Sequence, residues 1–444
     1  MTDATIARLT AEIAALAPSA SIGRISAVGR GAVELTGLSE IAALGDQVWL
    51  GTRGGRLRGE IVHIDRERAM ALPDGPADGI RLGDKVTLQG GDGLFPDLSW
   101  QGRIIDPYGN PLDGRPLARG PALRPLRAPA PPATQRKRLG ARLGTGLAVF
   151  DTLLPIVRGQ RLGLFAGSGV GKSSLLGALG RGLQADRCVI ALVGERGREL
   201  RHFMEDVLGA EGMARSVIVA ATSDQSAIAR RRCLWTAMTV AEHLRDEGHH
   251  VLFLADSVTR FAEAHREVAL AAGEPASLRG YPPSTAHMVM ALAERAGPGV
   301  EGPDCEESGD ITAIFSVLVA GSDMEEPVAD ILRGVLDGHV VLAREIAERG
   351  RFPAVDLLRS TSRSLPEAAS AEENALIAKA RRRLGAYDRA ELMIQSGLYT
   401  AGSDPEIDAA IRVHGPLDGF LAEASEAPEA AFRRLRTVLG PGQK

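Results

Sequence analysis

The chain has 444 residues, too many for one ordinary domain, and its 44% hydrophobic content can fill several cores. Lysine plus arginine number 52 against 56 for aspartate plus glutamate, so the net charge of -4 argues against nucleic acid or an anionic membrane as the main partner. Cys188, Cys233 and Cys305 are far apart and lack metal-ligand spacing, which speaks against a disulfide framework and fits reduced thiols in a cytoplasm.

The N-terminus, Met1-Thr2-Asp3-Ala4, has no basic region followed by an apolar stretch, and no apolar run approaches the roughly 20 residues of a membrane span. A soluble, unexported chain is therefore expected. In residues 1–20, Ile6, Leu9, Ile13 and Leu16 gather on one side of a helix running from Thr5 to Ala17. Such a segment either docks a partner or a membrane surface, or packs as a short helix on its own domain. From Ser21 to about residue 91 the pattern changes to short apolar and β-branched runs, Ile22–Val28, Ala32–Leu35, Gln47–Gly51, Arg58–Ile64 and Lys85–Leu88. Glycine pairs at Gly54-Gly55 and Gly90-Gly91 punctuate them, and a small β-barrel is expected.

Residues 92–366 are read as one α/β nucleotide domain that includes a proline-rich linker at 120–142. Pro121, Pro125, Pro129, Pro131 and Pro132 favour an extended connector, and the basic run Gln135-Arg136-Lys137-Arg138, without interleaved aromatics, reads as solvated linker rather than a nucleic-acid site. From Leu143 to about Leu365 apolar strand-like runs alternate with helical stretches, the mark of a parallel sheet. After Pro366 the composition turns to Ala, Glu and Arg with helical periodicity. Helices are expected at Glu367–Arg383, Arg389–Leu398, Pro405–Arg412 and Leu417–Leu439, forming a helical domain at 367–444.

The buried run Arg161–Ala166 leads into Gly167-Ser168-Gly169-Val170-Gly171-Lys172-Ser173-Ser174, followed by a helical stretch from Leu175 to Leu183. Strand, glycine loop and helix in that order form a phosphate cradle: backbone N–H groups turn inward, the helix N-terminus adds positive potential, Lys172 bridges terminal phosphates and the Ser173 hydroxyl can ligate Mg²⁺. A second buried run, Val251–Asp256, ends in a carboxylate suited to the water shell of that ion; alone, Asp256 would as often be a cap, but the phosphate loop upstream favours the metal role. A third, Val189–Val193, leads into Gly194-Glu195-Arg196-Gly197-Arg198-Glu199. Two readings of this loop stay open. Either Glu195 orients an attacking water while an adjacent arginine steadies the γ-phosphate, or the charges form a surface salt-bridge cluster.

These motifs, with Asp256-Ser257-Val258-Thr259-Arg260-Phe261-Ala262, Gly273-Glu274-Pro275, Arg279-Gly280-Tyr281-Pro282-Pro283-Ser284, Asp337-Gly338-His339, Phe352-Pro353-Ala354-Val355-Asp356 and Ser360-Thr361-Ser362-Arg363, resemble the type III export ATPases, relatives of the rotary ATP synthase catalytic subunit. The resemblance covers nearly the whole chain and its wording is nearest the flagellar branch, with the injectisome branch close behind. It implies a β-barrel, a RecA-like domain and a helical domain assembled as a homohexamer with sites between subunits. It also implies ATP and Mg²⁺ as ligands, with Lys172 and Ser173 on phosphate and metal, Glu195 on the lytic water, Arg196 and Arg260 on phosphate, Glu199 and Asp256 on the metal's water shell, Phe352 stacked on adenine, and Arg363 as a finger delivered by the neighbouring subunit.

Glu195 stands where the non-catalytic synthase subunit carries Gln, so the chain looks catalytic. The implied partners are a peripheral regulator, a central stalk protein, a membrane export gate, and export substrates with their chaperones, at the cytoplasmic base of the flagellum. A synthase catalytic subunit is the remoter reading, because it would need an unlike partner. Two departures from the family's wording, Asp310 and the segment Thr285-Ala286-His287-Met288, bear on the stalk contact or the rate. A metal role for His287 is not expected, since no Cys or His stands at ligand spacing.

Overall fold

The computed structural model describes residues 20–29, 31–301, 308–319 and 324–440; the expected helix at Thr5–Ala17 and Cys305 lie outside them. Six antiparallel strands, β1 (Ile22–Val28), β2 (Val33–Thr36), β3 (Gln47–Thr52), β4 (Gly55–Ile64), β5 (Arg68–Pro73) and β6 (Lys85–Gly90), close a barrel in the order β1-β2-β5-β4-β3-β6. Alternate residues such as Ile25, Val33, Leu35, Val48, Leu50 and Val86 fill its interior, as the period of two requires. β5 was not anticipated. Its sequence Arg-Ala-Met-Ala-Leu-Pro is poor in β-branched residues, and it is a strand because β2 and β4 pair with it on either side and bury Ala69 and Ala71.

Two short strands, β7 (Gly93–Leu94) and β9 (Arg124–Pro125), pair beside the connector, which is otherwise extended, with one 3-10 turn at Ala133–Gln135. The basic run within it differs from the solvated linker expected. Arg136 donates to the Ala296 carbonyl at 2.9 Å and to the Glu294 carbonyl, and Lys137 donates to the Ser308 carbonyl, so two of its three cations anchor the connector to the domain behind it.

That domain is an eight-stranded sheet of β8 (Arg103–Ile105), β10 (Arg161–Ala166), β11 (Arg187–Glu195), β12 (Ser216–Thr222), β13 (His250–Asp256), β14 (Asp310–Leu318), β15 (Gly338–Leu342) and β16 (Val355–Ser362), in the order β16-β15-β10-β14-β13-β11-β12-β8. All neighbours are parallel except β15 and β16. Successive residues of β11 supply cores on both faces: Val189, Ala191 and Val193 pack under the helices Ala227–Asp246, Val258–Ala271 and Ser284–Arg295, while Cys188, Ile190 and Leu192 pack under the helix Lys172–Gly182. A sheet covered on both sides reads as continuous apolar runs, which is why its strands were legible.

Three helices follow, Ala371–Gln395, Pro405–Phe420 and Pro428–Leu439, where four were expected. The first begins at a capping box of Ser370 and Glu373 and continues through Gly385, joining two expected segments. Leu417 belongs to the middle helix, with Pro416 inside it, because Leu417 and Phe420 are buried against the same core as Ile377 and Ala380.

Candidate nucleotide-binding site

β10 is buried from Leu162 onward and delivers the loop Gly167–Gly171 to the C-terminal edge of the sheet. Gly169 and Gly171 have φ of 77° and 84°, the left-handed region where a side chain is strained. At Gly171 a Cβ would also lie 3.0 Å from the Phe352 ring, so the aromatic rests on the loop's backbone. Val170 turns its side chain into the core, whereas Ser173 and Ser174 are exposed at the start of the helix that Lys172 opens. The loop is thus pinned by one apolar side chain, with its glycines and serines facing the cleft.

β13 and β11 end at the same edge, with Leu192 in register with Asp256. Asp256 is buried, accepts from the Ser316 hydroxyl at 2.8 Å and contacts the Lys172 ammonium directly. Glu195 is the last residue of β11 rather than part of a loop, and its Oε1 lies 3.9 Å from Lys172 Nζ. Burial, the Asp256 charge and the neighbouring Glu199 outweigh Lys172 and push the Glu195 carboxyl up to about 7. A carboxylate whose charged form is disfavoured by burial and a like charge is a candidate proton acceptor near neutrality.

Arg196 precedes the helix Gly197–His202, 3.8 Å from Glu199, and both side chains are exposed. Arg260, in the first turn of the helix after β13, runs its stem over Gly194: a Cβ there would lie 3.5 Å from Arg260 Cβ. Together these groups line a cleft of about 880 Å³ that includes Gly167, Ser168, Lys172, Ser173, Glu195, Arg196, Glu199 and Arg260, a volume within the range of small-molecule sites. Ser223, Arg230, Thr259, Glu263 and Glu326 line it too and were not anticipated. Ser223 directly follows β12 and Thr259 lies within the first turn after β13, so the rule that parallel sheets bind at their carboxyl edge could have found these two.

Four expected site residues are not in the cleft lining: Val170 and Asp256, both buried beside it, and Phe352 and Arg363. Phe352, half exposed, sits at its mouth against Gly171. Arg363 follows β16, which runs antiparallel to β15, so it emerges at the opposite edge of the sheet. There its N–H donates to the Asp337 carbonyl at 3.0 Å, and its guanidinium to the Arg333 carbonyl at 3.2 Å. Asp337 in turn holds Arg161 at the first residue of β10. Of the family departures, Asp310 is paired with Arg158 and accepts from the Gly299 N–H at 3.0 Å, a structural tie at that same far edge. His287 is exposed, and the described residues hold no cluster of three or more His, Cys, Asp or Glu able to bind a metal ion.

A parallel α/β sheet with a phosphate loop, a strand-end carboxylate and a half-buried glutamate beside it defines a RecA-like P-loop ATPase. The model of the ATP synthase alpha/beta family nucleotide-binding domain matches residues 146–362, and that of the T3SS EscN ATPase C-terminal domain matches residues 369–435. The chain is 43% identical to the flagellum-specific ATP synthase of Caulobacter vibrioides, over 94% of this chain and 95% of that one. It is 39% identical to the type 3 secretion system ATPase of Xanthomonas euvesicatoria, over 97% and 96%. The solved structure of the assembled ATPase EscN from enteropathogenic E. coli superposes with a TM-score of 0.87 at 35% identity, covering 94% of this chain and all of that one. EscN has also been solved in complex with its central stalk EscO, with a TM-score of 0.84. The chain belongs to the ATP synthase alpha/beta family, in the branch of flagellum-specific and type III secretion ATPases, and is an ATP-hydrolysing enzyme.

Proposed function

We propose that the chain forms a homohexameric ring whose ATP hydrolysis energises flagellar protein export. The observation that carries this reading is the position of Arg363 on the sheet edge opposite the phosphate loop. One chain thus owns a cleft on one edge and an exposed guanidinium, held by one bond to the Arg333 carbonyl, on the other, the heterologous arrangement from which identical subunits build a ring. A synthase catalytic subunit would instead rely on an unlike neighbour.

In the proposed cycle the backbone of Gly167–Ser174 and Lys172 take the phosphates, Lys172 exchanging its Asp256 contact for them. Phe352, half exposed beside Gly171, would stack its ring on the adenine. Glu195 orients the attacking water and accepts its proton, Arg196 and Arg260 steady the phosphates, and the neighbouring chain's copy of Arg363 meets the charge that develops on the γ-phosphate.

Ser173 and Glu199 line the cleft and the buried Asp256 touches its Lys172; all three offer oxygens, the set a hard cation takes when it also binds phosphate, and they would hold Mg²⁺. That ion would offset the negative charge of the phosphates. We further propose a central stalk, a peripheral regulator, a membrane export gate and chaperoned export substrates as partners. Residues 1–20 would supply a peripheral contact at the inner membrane. No helix among the described residues is long and apolar enough to cross a membrane.

An injectisome role is the second reading, favoured by the similarity to EscN. Sedimentation with and without MgATP tests the ring, which should appear as a six-fold mass increase; a species containing one copy per unlike partner would overturn it. Replacing the chromosomal copy with Lys172→Ala tests the system served. Loss of external flagellar filaments is expected, and intact motility with failure of another export system would refute the flagellar reading.

A further inference from the structure

The helix Val258–Ala271 places two opposite charges one turn apart at the cleft wall: Arg260 Nη1 lies 2.8 Å from Glu263 Oε2, and both residues line the cleft. The pair is only partly exposed, Arg260 at 44% and Glu263 at 27%. The Arg260 stem lies over Gly194, and its guanidinium feels the charges of both Glu263 and Glu195, with the hydrogen bond going to Glu263.

We propose that Glu263 is a positioning residue that holds Arg260 in a resting orientation, so that an incoming nucleoside triphosphate must displace the carboxylate to recruit the arginine. The inference rests on the reading of Arg260 as a phosphate contact. Glu263 is thereby a brake on nucleotide affinity: it competes with the phosphates for one cation and is released when they win. A pair of this kind, one helical turn apart and partly solvated, is weak enough to be exchanged in each cycle.

The test is a double-mutant cycle on the full chain, with the affinity for a non-hydrolysable ATP analogue plus Mg²⁺ measured for Glu263→Gln, Arg260→Ala and the double variant. Glu263→Gln keeps the shape and removes the charge, and is expected to tighten binding on the order of threefold. It should lower KM by the same factor, with a smaller change in kcat. In the Arg260→Ala background the gain should vanish. Unchanged or weaker binding in Glu263→Gln, while Arg260→Ala weakens binding, overturns the brake and leaves the Arg260 reading standing. A gain that persists at full size without Arg260 means that Glu263 repels phosphate directly, and also overturns it. An Arg260→Ala variant with unaltered affinity removes the phosphate contact itself, and the brake with it.

Discussion

Arg363→Ala separates a finger given to a neighbour from a salt-bridging surface residue. β10 spans six residues between the Arg161 edge, near which Arg363 lies, and the Ala166 edge, where the loop begins. At roughly 3.3 Å per residue that is about 17–20 Å, more than twice the reach of an arginine side chain, so Arg363 cannot serve the cleft of its own chain. Within the chain it makes one exposed guanidinium bond, 3.2 Å to the Arg333 carbonyl, and losing that costs about 1 kcal/mol or less of stability. As a finger it would be worth on the order of 10³–10⁵ in rate, or about 4–7 kcal/mol of transition-state stabilisation.

The variant should therefore fold, bind nucleotide as the parent does and lose hydrolysis. In rings mixed equally with Lys172→Ala, about a quarter of interfaces pair an intact loop with an intact finger, so up to about a quarter of the parent rate should return. Phosphate release by each variant alone and by the mixture, with ring composition checked by native mass, reads this out. Confirmed mixed rings as inactive as either parent variant would refute delivery in trans, and a large fall in melting temperature for Arg363→Ala would assign it a structural role instead.

Because the Glu195 carboxyl is pushed up to about 7, it accepts a proton as pH falls through that value and can no longer take one from water. In Mg²⁺-saturating buffer, kcat/KM should fall about tenfold per pH unit below it, and Glu195→Gln should abolish turnover while keeping nucleotide affinity. A pH-independent kcat/KM between 5.5 and 8, or near-parent turnover in Glu195→Gln, would remove Glu195 from the chemistry. Phe352→Ala should weaken ATP binding more than Phe352→Tyr does, since stacking needs a flat ring; equal affinities would make Phe352 a packing residue only. Arg295, almost wholly buried, holds Glu242 at 2.6 and 2.9 Å and donates to the Leu126 carbonyl. Arg295→Met strands that carboxylate and should cost about 3–5 kcal/mol in denaturant unfolding, whereas a change below about 1 kcal/mol would mean the pair is solvated.

The sequence alone determined what depends on neighbours along the chain. The glycine loop is legible because strand, glycines and helix are contiguous along the chain. The sheet strands are legible because burial on both faces demands unbroken apolar runs, and Asp256 because it ends one of them. Tertiary structure alone decided what depends on distant segments. β5 is a strand only because β2 and β4 flank it, and Gly385 lies inside a helix because packing overrides its propensity. Glu195 is pushed up only by what surrounds it, and Glu263 enters the cleft by sitting one helical turn beyond Arg260. Arg363 falls on the far edge because the last strand reverses direction, a choice made by pairing between β15 and β16, which no local pattern of side chains encodes.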